Sequence, residues 1–267
     1  MPKKEIKEKK IATPSKQSST RVPTGIKGFD ELVEGGFPQG SSILICGGPG
    51  TGKTIFSSEF LLHGAKDFGE KGLYVTFEQR AEAVIDQAKQ FGWNVEELEK
   101  KNLIRVMSVP ASGIKKSIIK DIKDMIKKEG IKRLVIDSLS TLVVNAPIYV
   151  EPNELAVQDV VGQNVVFSPP IIGDYIVKRF IYDFIDSLRE LDCTTLLITE
   201  AANGGEFLTR DTLSEFVCDG VVLITFESMG GNYSRSLTVR KMRQTKNNED
   251  VHPVEMSPKG IIIHKIE

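Results

Sequence analysis

The run from Gly47 to Thr54 has the residue types and the spacing of a phosphate-binding loop. It reads Gly-Gly-Pro-Gly-Thr-Gly-Lys-Thr, a full match to the pattern G-x-x-x-x-G-K-T between an apolar run and a helical pattern. Glycines let successive backbone N–H groups turn toward phosphate oxygens, and a helix N-terminus adds partial positive charge. Lys53 then suits the β- and γ-phosphates of ATP, and the Thr54 hydroxyl suits Mg²⁺. The predicted nucleotide contacts are Gly47, Gly48, Pro49, Gly50, Thr51, Gly52, Lys53, Thr54 and Ile55.

Two other apolar runs have a carboxylate at or just after their carboxyl end. Asp137 ends the run from Arg133, and at the carboxyl edge of a parallel sheet it would bind Mg²⁺ or its water. An aspartate at a strand end can also be a turn or helix cap. Glu78 follows the run Leu73–Phe77 and would polarise the attacking water as a general base. The residues alone favour an N-cap for the next helix about as strongly.

A late basic run, Val239-Arg240-Lys241-Met242-Arg243, is predicted to lie at a strand end. Because side chains alternate along a strand, Lys241 and Arg243 share one face, and Arg240 lies on the other. This local positive patch on an otherwise acidic body suits a polyphosphate. The alternative is a solvated edge strand protected by basic side chains.

These residues are positioned by strands that alternate with helices from Val22 onward, which predicts an α/β fold with a mainly parallel sheet flanked by helices. The last three strands have little helix between them and predict an antiparallel C-terminal extension. The predicted strands are Ser42–Cys46, Leu73–Phe77, Leu103–Met107, Arg133–Asp137, Thr194–Thr199, Gly220–Phe226, Ser236–Met242 and Ile261–Lys265. The predicted helices are Lys53–Phe68, Gln79–Phe91, Ile114–Lys128 and Asp174–Leu191.

Composition limits the class of protein. Of 267 residues, 40% are hydrophobic and 27% charged, as in globular proteins, and no stretch is apolar enough for a membrane span or signal peptide. We therefore expect a cytoplasmic protein. Residues 1–21 carry seven basic and two acidic side chains, so the remainder of this chain of net charge −1 carries −6. Nucleic-acid binding is disfavoured, because phosphate neutralisation supplies most of such affinity.

The sequence predicts a flexible basic tail at 1–21 and a single domain at 22–267 with an apolar insert at about 145–173. The tail has two possible functions. It is either an electrostatic tether to an acidic partner or nucleic acid, or an unstructured end that increases solubility. From Leu134 to Val177 the chain has no Lys or Arg, so the insert is predicted to contact a protein partner or another subunit rather than nucleic acid. The alternative is a satellite fold over the domain's own core. The three cysteines are expected to be reduced core residues.

Four motifs, in their order along the chain, resemble those of the RecA-like ATPases, and most closely those of the KaiC ATPases and their archaeal relatives. They are the phosphate-binding loop, Phe77-Glu78, Ile136-Asp137-Ser138 and Lys241-Met242-Arg243. The run from Val22 to Ser41 is similar to that family's entry segment, and the resemblance covers roughly residues 22–267.

The resemblance implies a RecA-like core that assembles into rings, commonly hexamers, with ATP and Mg²⁺ between neighbouring subunits. It implies that Glu78 is the catalytic base. It also implies that Lys241 and Arg243 act on the neighbour's γ-phosphate, as arginine fingers do.

The chain departs from the KaiC pattern at three places. Gln79 stands where the family usually has a second glutamate, so slow hydrolysis is expected. Asn247 stands where the family often has a histidine that contacts the nucleotide. Glu215 and Phe216 stand where the clock protein carries its phosphorylated Ser-Thr pair, so no autokinase activity is expected.

The sequence thus favours an oligomeric ATPase that regulates protein partners. A DNA-binding recombination accessory protein and a non-hydrolysing ATP sensor are the two alternatives.

Overall fold

The computed structural model describes residues 20–110, 113–115, 117–146, 169–202, 207–229 and 232–265. Nearly all of the predicted basic tail and residues 147–168 of the predicted insert lie outside these ranges. The strands are β1 (Arg21–Val22), β2 (Phe37–Pro38), β3 (Ser42–Gly47), β4 (Gly72–Thr76), β5 (Ile104–Ser108), β6 (Arg133–Asp137), β7 (Thr194–Glu200), β8 (Gly220–Met229), β9 (Asn232–Met242), β10 (His252–Ser257) and β11 (Gly260–Ile263). The helices are α1 (Lys53–Asp67), α2 (Ala81–Gln90), α3 (Val95–Lys100), α4 (Ile118–Glu129), α5 (Leu139–Val144), α6 (Pro169–Arg189) and α7 (Ser214–Val217).

Within the described residues, nine strands form one sheet in the order β11-β10-β9-β8-β3-β7-β6-β4-β5. The strands from β8 to β5 are parallel, and β9, β10 and β11 are antiparallel to their neighbours. The predicted α/β class and the antiparallel extension are therefore confirmed. The sheet places the carboxyl ends of β3, β4 and β6 along one edge, where the predicted functional residues follow them.

Several predicted boundaries were wrong. β10 was not predicted, because His252–Ser257 contains a proline and three charged or polar side chains that weaken the strand pattern. Helix α2 begins at Ala81 rather than Gln79, and α4 begins at Ile118 rather than Ile114. Helix α6 begins at Pro169, five residues before the predicted start, because proline is tolerated in the first turn of a helix.

Both faces of the sheet are covered. Along β3, Ile43 and Ile45 join one buried cluster with Phe56 and Phe60 of α1, whereas Leu44 joins a second cluster on the other face. Helix α6 contributes Phe180, Ile181, Phe184 and Leu188 to that second cluster, and Leu191 joins it just after the helix. A strand that is buried on both faces has a continuous apolar sequence. This explains why β3 could be predicted as a strand from the sequence.

The three cysteines are buried and form no disulfide, as predicted. Burial raises the pKa of Cys46, Cys193 and Cys218 to about 12, so each thiol stays protonated at neutral pH. No helix in the described part of the chain is both long enough and apolar enough to cross a membrane.

Gly64 makes room for a buried arginine at the start of β6. The Arg133 guanidinium is fully buried, pairs with Glu70 at 2.6 Å and donates to Phe60 O at 2.9 Å. It also lies 4.6 Å from the centre of the Phe60 ring. A methyl group at Gly64 would come within 2.3 Å of Arg133 Cδ. This side chain has no room to move, since its hydrogen bonds and packing fix it.

We expect Gly64→Ala to lower the free energy of unfolding by about 2 to 3 kcal/mol, although alanine is the better helix former. Urea unfolding measures this loss. In the double variant with Arg133→Val, which removes the clashing atoms, the total loss should be smaller than the sum of the two single losses. Strictly additive losses would show that the clash is not the cause.

Candidate nucleotide-binding site

The phosphate-binding loop joins the end of β3 to the start of α1, as predicted. Gly50 and Gly52 have positive φ angles of 73° and 108°, which glycine adopts without strain. The Lys53 ammonium donates to Gly47 O at 2.8 Å and to Gly48 O at 2.7 Å, so it lies at the mouth of the loop. Burial lowers the pKa of Lys53, although the nearby Asp137 carboxylate opposes this shift. The loop thus combines backbone donors with one fixed cation.

Asp137 lies at the carboxyl end of β6, two strands from β3, and is only 3% exposed. Its Oδ2 accepts from Tyr74 Oη at 2.6 Å and is 3.5 Å from Thr54 Oγ1. Burial raises the pKa of Asp137, and the hydrogen bond from Tyr74 opposes the rise. A hydroxyl and a carboxylate at this separation fit Mg²⁺, which usually takes few protein ligands and completes its shell with water and phosphate oxygens.

Glu78 lies just beyond β4, beside Asp137. Phe77 N donates to Asp137 O at 2.7 Å, which ties this turn to β6. Glu78 Oε1 accepts a short hydrogen bond from Ser138 Oγ and another from Thr141 Oγ1 at 2.9 Å. Helix α2 begins at Ala81 with Arg80 at the N-cap position, so Glu78 is not the cap. Its side chain is held instead toward α5, at the edge of the sheet that carries the loop.

Lys241 and Arg243 lie at the opposite edge of the sheet. Lys241 pairs with Val221, which pairs with Leu44 near the start of β3, and the loop follows the other end of that strand. Lys241 Nζ donates to three carbonyl oxygens around the end of α7, those of Glu215 at 3.1 Å, Phe216 at 2.8 Å and Cys218 at 2.7 Å.

Arg243 binds the same segment as Lys241. Its Nη2 donates to Phe216 O at 3.2 Å, and its Nη1 donates to Asp219 Oδ1 at 3.0 Å. The predicted sharing of one face is therefore observed. The structure does not bring either cation to the loop of its own chain.

One basic contact to the loop was not predicted from the sequence. Arg235 Nη2 donates to Gly50 O at 3.2 Å, and its guanidinium lies 4.6 Å from the centre of the Phe226 ring. Arg235 lies on β9 before the basic run Val239–Arg243, and only the antiparallel pairing of β9 with β8 reveals which cation of this strand lies at the loop. Tyr74, Ser138 and Thr141 were also missed as partners of Asp137 and Glu78.

An open cavity of about 600 Å³ borders Glu78. Its lining includes Thr141 and Asn145 of the α5 region, Asp174 of α6, and the ion pair between Glu200 and Arg210. Glu78 is exposed and lines this cavity, so its carboxylate is accessible, as a group that meets a water molecule must be.

The loop, the carboxylate beside it and the parallel sheet define a P-loop ATPase with a RecA-like core. A family model described as "ATPase: KaiC" matches residues 22–149 and 171–267, and the chain belongs to the KaiC family.

Two relatives support this assignment. The chain is 32% identical to a UPF0273 protein of Thermotoga maritima, over 92% of this chain and 97% of that protein. It is 31% identical to the circadian clock oscillator protein KaiC of Prochlorococcus marinus, over 97% of this chain but only 48% of that protein. The chain therefore spans about half the length of the clock protein.

A solved structure shares the fold. The crystal structure of the KaiC-like protein PH0186 from Pyrococcus horikoshii superposes with a TM-score of 0.74 at 31% identity. The match covers 92% of this chain and all of that one. The RecA-like fold predicted from the order of the motifs is therefore confirmed.

Proposed function

We propose that this chain is a Mg²⁺-dependent ATPase of the cytoplasm that hydrolyses ATP slowly between subunits of a ring, and that it works as a regulatory switch on protein partners. The separation of its charged groups carries the proposal. Lys53, Thr54, Asp137 and Glu78 gather at one edge of the sheet, whereas Lys241 and Arg243 lie at the other.

The two edges are too far apart for one chain to complete the site. Arg243 N donates to Asp219 O, and Asp219 N donates to Ser42 O, so Arg243 lies beside the start of β3. From Ser42 to Gly47 a strand extends about 17 Å. A second copy can bring its cations to the first copy's loop. Such a head-to-tail contact repeats around a closed ring, and the resemblance to KaiC suggests six subunits.

Each group at the loop has a role in hydrolysis. The backbone amides of the loop and Lys53 hold the β- and γ-phosphates, and Thr54 and Asp137 hold Mg²⁺. The bound Mg²⁺ would neutralise charge that builds up on the phosphate oxygens. Glu78 accepts a proton from water as the water oxygen bonds to the γ-phosphorus and the bond to ADP breaks. Lys241 and Arg243 of the neighbour stabilise the charge on the γ-phosphate oxygens.

The structure also supports slow turnover. Gln79, which follows the proposed base, brings no second carboxylate to the site. Lys241 donates to three carbonyls of its own chain, and an ammonium group has three N–H donors, so it must release one to reach a neighbour's phosphate. A cation that has to change partners is compatible with a switch that responds to assembly.

We expect ATP and Mg²⁺ together to increase the mass of the particle, because bound phosphates attract the neighbour's cations. Mass photometry or light scattering with and without nucleotide measures this. The matched control is Lys53→Ala, which should bind ATP at least 100-fold more weakly and keep the mass of the nucleotide-free protein. An unchanged mass, together with tight ATP binding by calorimetry, would contradict a shared site.

A further inference from the structure

One half-buried carboxylate connects the start of β3 to the basic end of β9. Asp219 lies between α7 and β8, and its side chain is 18% exposed. Its Oδ2 accepts from Ser42 N at 3.0 Å, while its Oδ1 accepts from Arg243 Nη1 at 3.0 Å. Arg189 Nη2 lies 3.6 Å from the same Oδ1. Asp219 therefore contacts two guanidinium groups and the strand that leads to the loop.

The charges around Asp219 do not cancel. Asp219 faces Arg189 and Arg243, Lys241 binds the carbonyl of the adjacent Cys218, and Asp186 lies 3.7 Å from Arg189, so three cations stand against two carboxylates. The cluster therefore keeps a positive charge that can attract phosphate. A carboxylate placed in this way fixes an arginine without neutralising the surface on which it lies.

Arg243 needs such a partner, because a long arginine side chain samples many rotamers when it is unrestrained. Its guanidinium is 47% exposed but is fixed on one side by Asp219 and by the carbonyls of Phe216 and Val217. Hydrogen bonds between ions are about twice as strong as neutral ones, and a planar guanidinium held on one edge has a defined direction. Its other N–H groups then meet an incoming phosphate in a fixed orientation.

We propose that Asp219 is a positioning residue, which orients Arg243 for the γ-phosphate bound by the neighbouring subunit. This inference rests on the proposed function, because it assigns Asp219 a role in a site that two subunits share. Asp219 would act on the active site of the next protomer, although its own hydrogen bond to Ser42 leads toward the loop of its own chain.

The test is Asp219→Asn. An asparagine can still accept from Ser42 N, but its amide N–H groups would then face the N–H groups of Arg243. We expect the maximal rate of ATP hydrolysis to fall roughly tenfold to hundredfold, with the KM for ATP close to that of the parent protein. Asp186→Asn is the matched control. It removes an exposed carboxylate 3.7 Å from Arg189 that does not contact Arg243, and it should keep the parent rate.

Mixed assemblies locate the defect. Subunits with Lys53→Ala have a defective loop but intact cations, so they should restore activity to the loops of Asp219→Asn subunits. Subunits with Arg243→Ala should not restore it, because both variants lack a working cation. If the Asp219→Asn substitution prevents assembly, Asp219→Glu is used in the same mixtures, since it keeps the charge and displaces it by one methylene group. We expect a lowered rate and the same pattern of recovery.

Two results would overturn the inference. One is recovery with Arg243→Ala subunits, which would place the defect in the variant's own loop through Ser42. The other is a parent rate in the Asp219 variants while Arg243→Ala is impaired. A parent rate in Arg243→Ala itself would instead overturn the proposed function, so the two failures are distinguishable.

Discussion

Arg243→Ala should lower the rate of ATP hydrolysis by about 10³-fold or more while ATP still binds, since an arginine that stabilises a transferring phosphoryl group contributes about 10³- to 10⁵-fold. The loop, Lys53 and Asp137 remain intact in this variant, because Arg243 lies at the other edge of the sheet. Phosphate release under saturating ATP measures the rate, and calorimetry measures the binding.

Arg240→Ala is the matched control for Arg243→Ala. Arg240 is an exposed cation on the same strand, and it lies at the irregular point in the pairing of β9 with β8. Its loss changes the net charge equally and should leave the rate within about twofold, as expected for a surface charge. Equal rates for the two variants would show that Arg243 does not act on phosphate.

Glu78→Gln should lower the rate of hydrolysis by about 10²- to 10⁴-fold, the usual contribution of a general base. Glutamine has nearly the same shape and can still accept from Ser138 and Thr141 through its carbonyl oxygen, but it cannot take a proton from water. ATP binding and ATP-dependent assembly should persist, because neither uses this carboxylate. Single-turnover phosphate release measures the effect.

The control for Glu78→Gln is Gln79→Ala, which changes the exposed neighbour and should keep the parent rate. If the parent protein and Glu78→Gln release phosphate equally slowly, Glu78 is not the base. ATP binding without turnover in both proteins would then favour an ATP sensor over a hydrolysing enzyme.

The residues that follow one another in the chain were the most predictable part of the site. From Gly47 to Thr54 the motif is contiguous, so the apolar strand before it and the helix after it were sufficient to place it. Asp137 and Glu78 required one further step, since carboxyl ends of parallel strands meet at one edge of the sheet. The sequence left the helix-cap interpretation of Glu78 open, and the observed start of α2 at Ala81, with Arg80 at the N-cap position, decided against it.

The partners of these residues could not be predicted, because they depend on the order of the strands and on the directions of side chains. Tyr74 reaches Asp137 only because β4 lies beside β6, and Arg235 reaches Gly50 only because β9 folds back along β8. That Lys241 and Arg243 act in the site of a neighbour was implied by resemblance alone. Strand register supplied the physical reason, since it puts both cations at the wrong edge for their own loop.

The most direct measurement of a shared site is the ATPase rate of a mixture of two inactive variants, Lys53→Ala and Arg243→Ala. Each subunit type lacks a different half of the site, so neighbours of unlike type form intact sites between them. We expect each variant alone to be nearly inactive and an equal mixture, assembled together, to recover about a quarter of the parent rate, given random neighbours and independent sites. A mixture as inactive as its components would contradict a site built from two subunits.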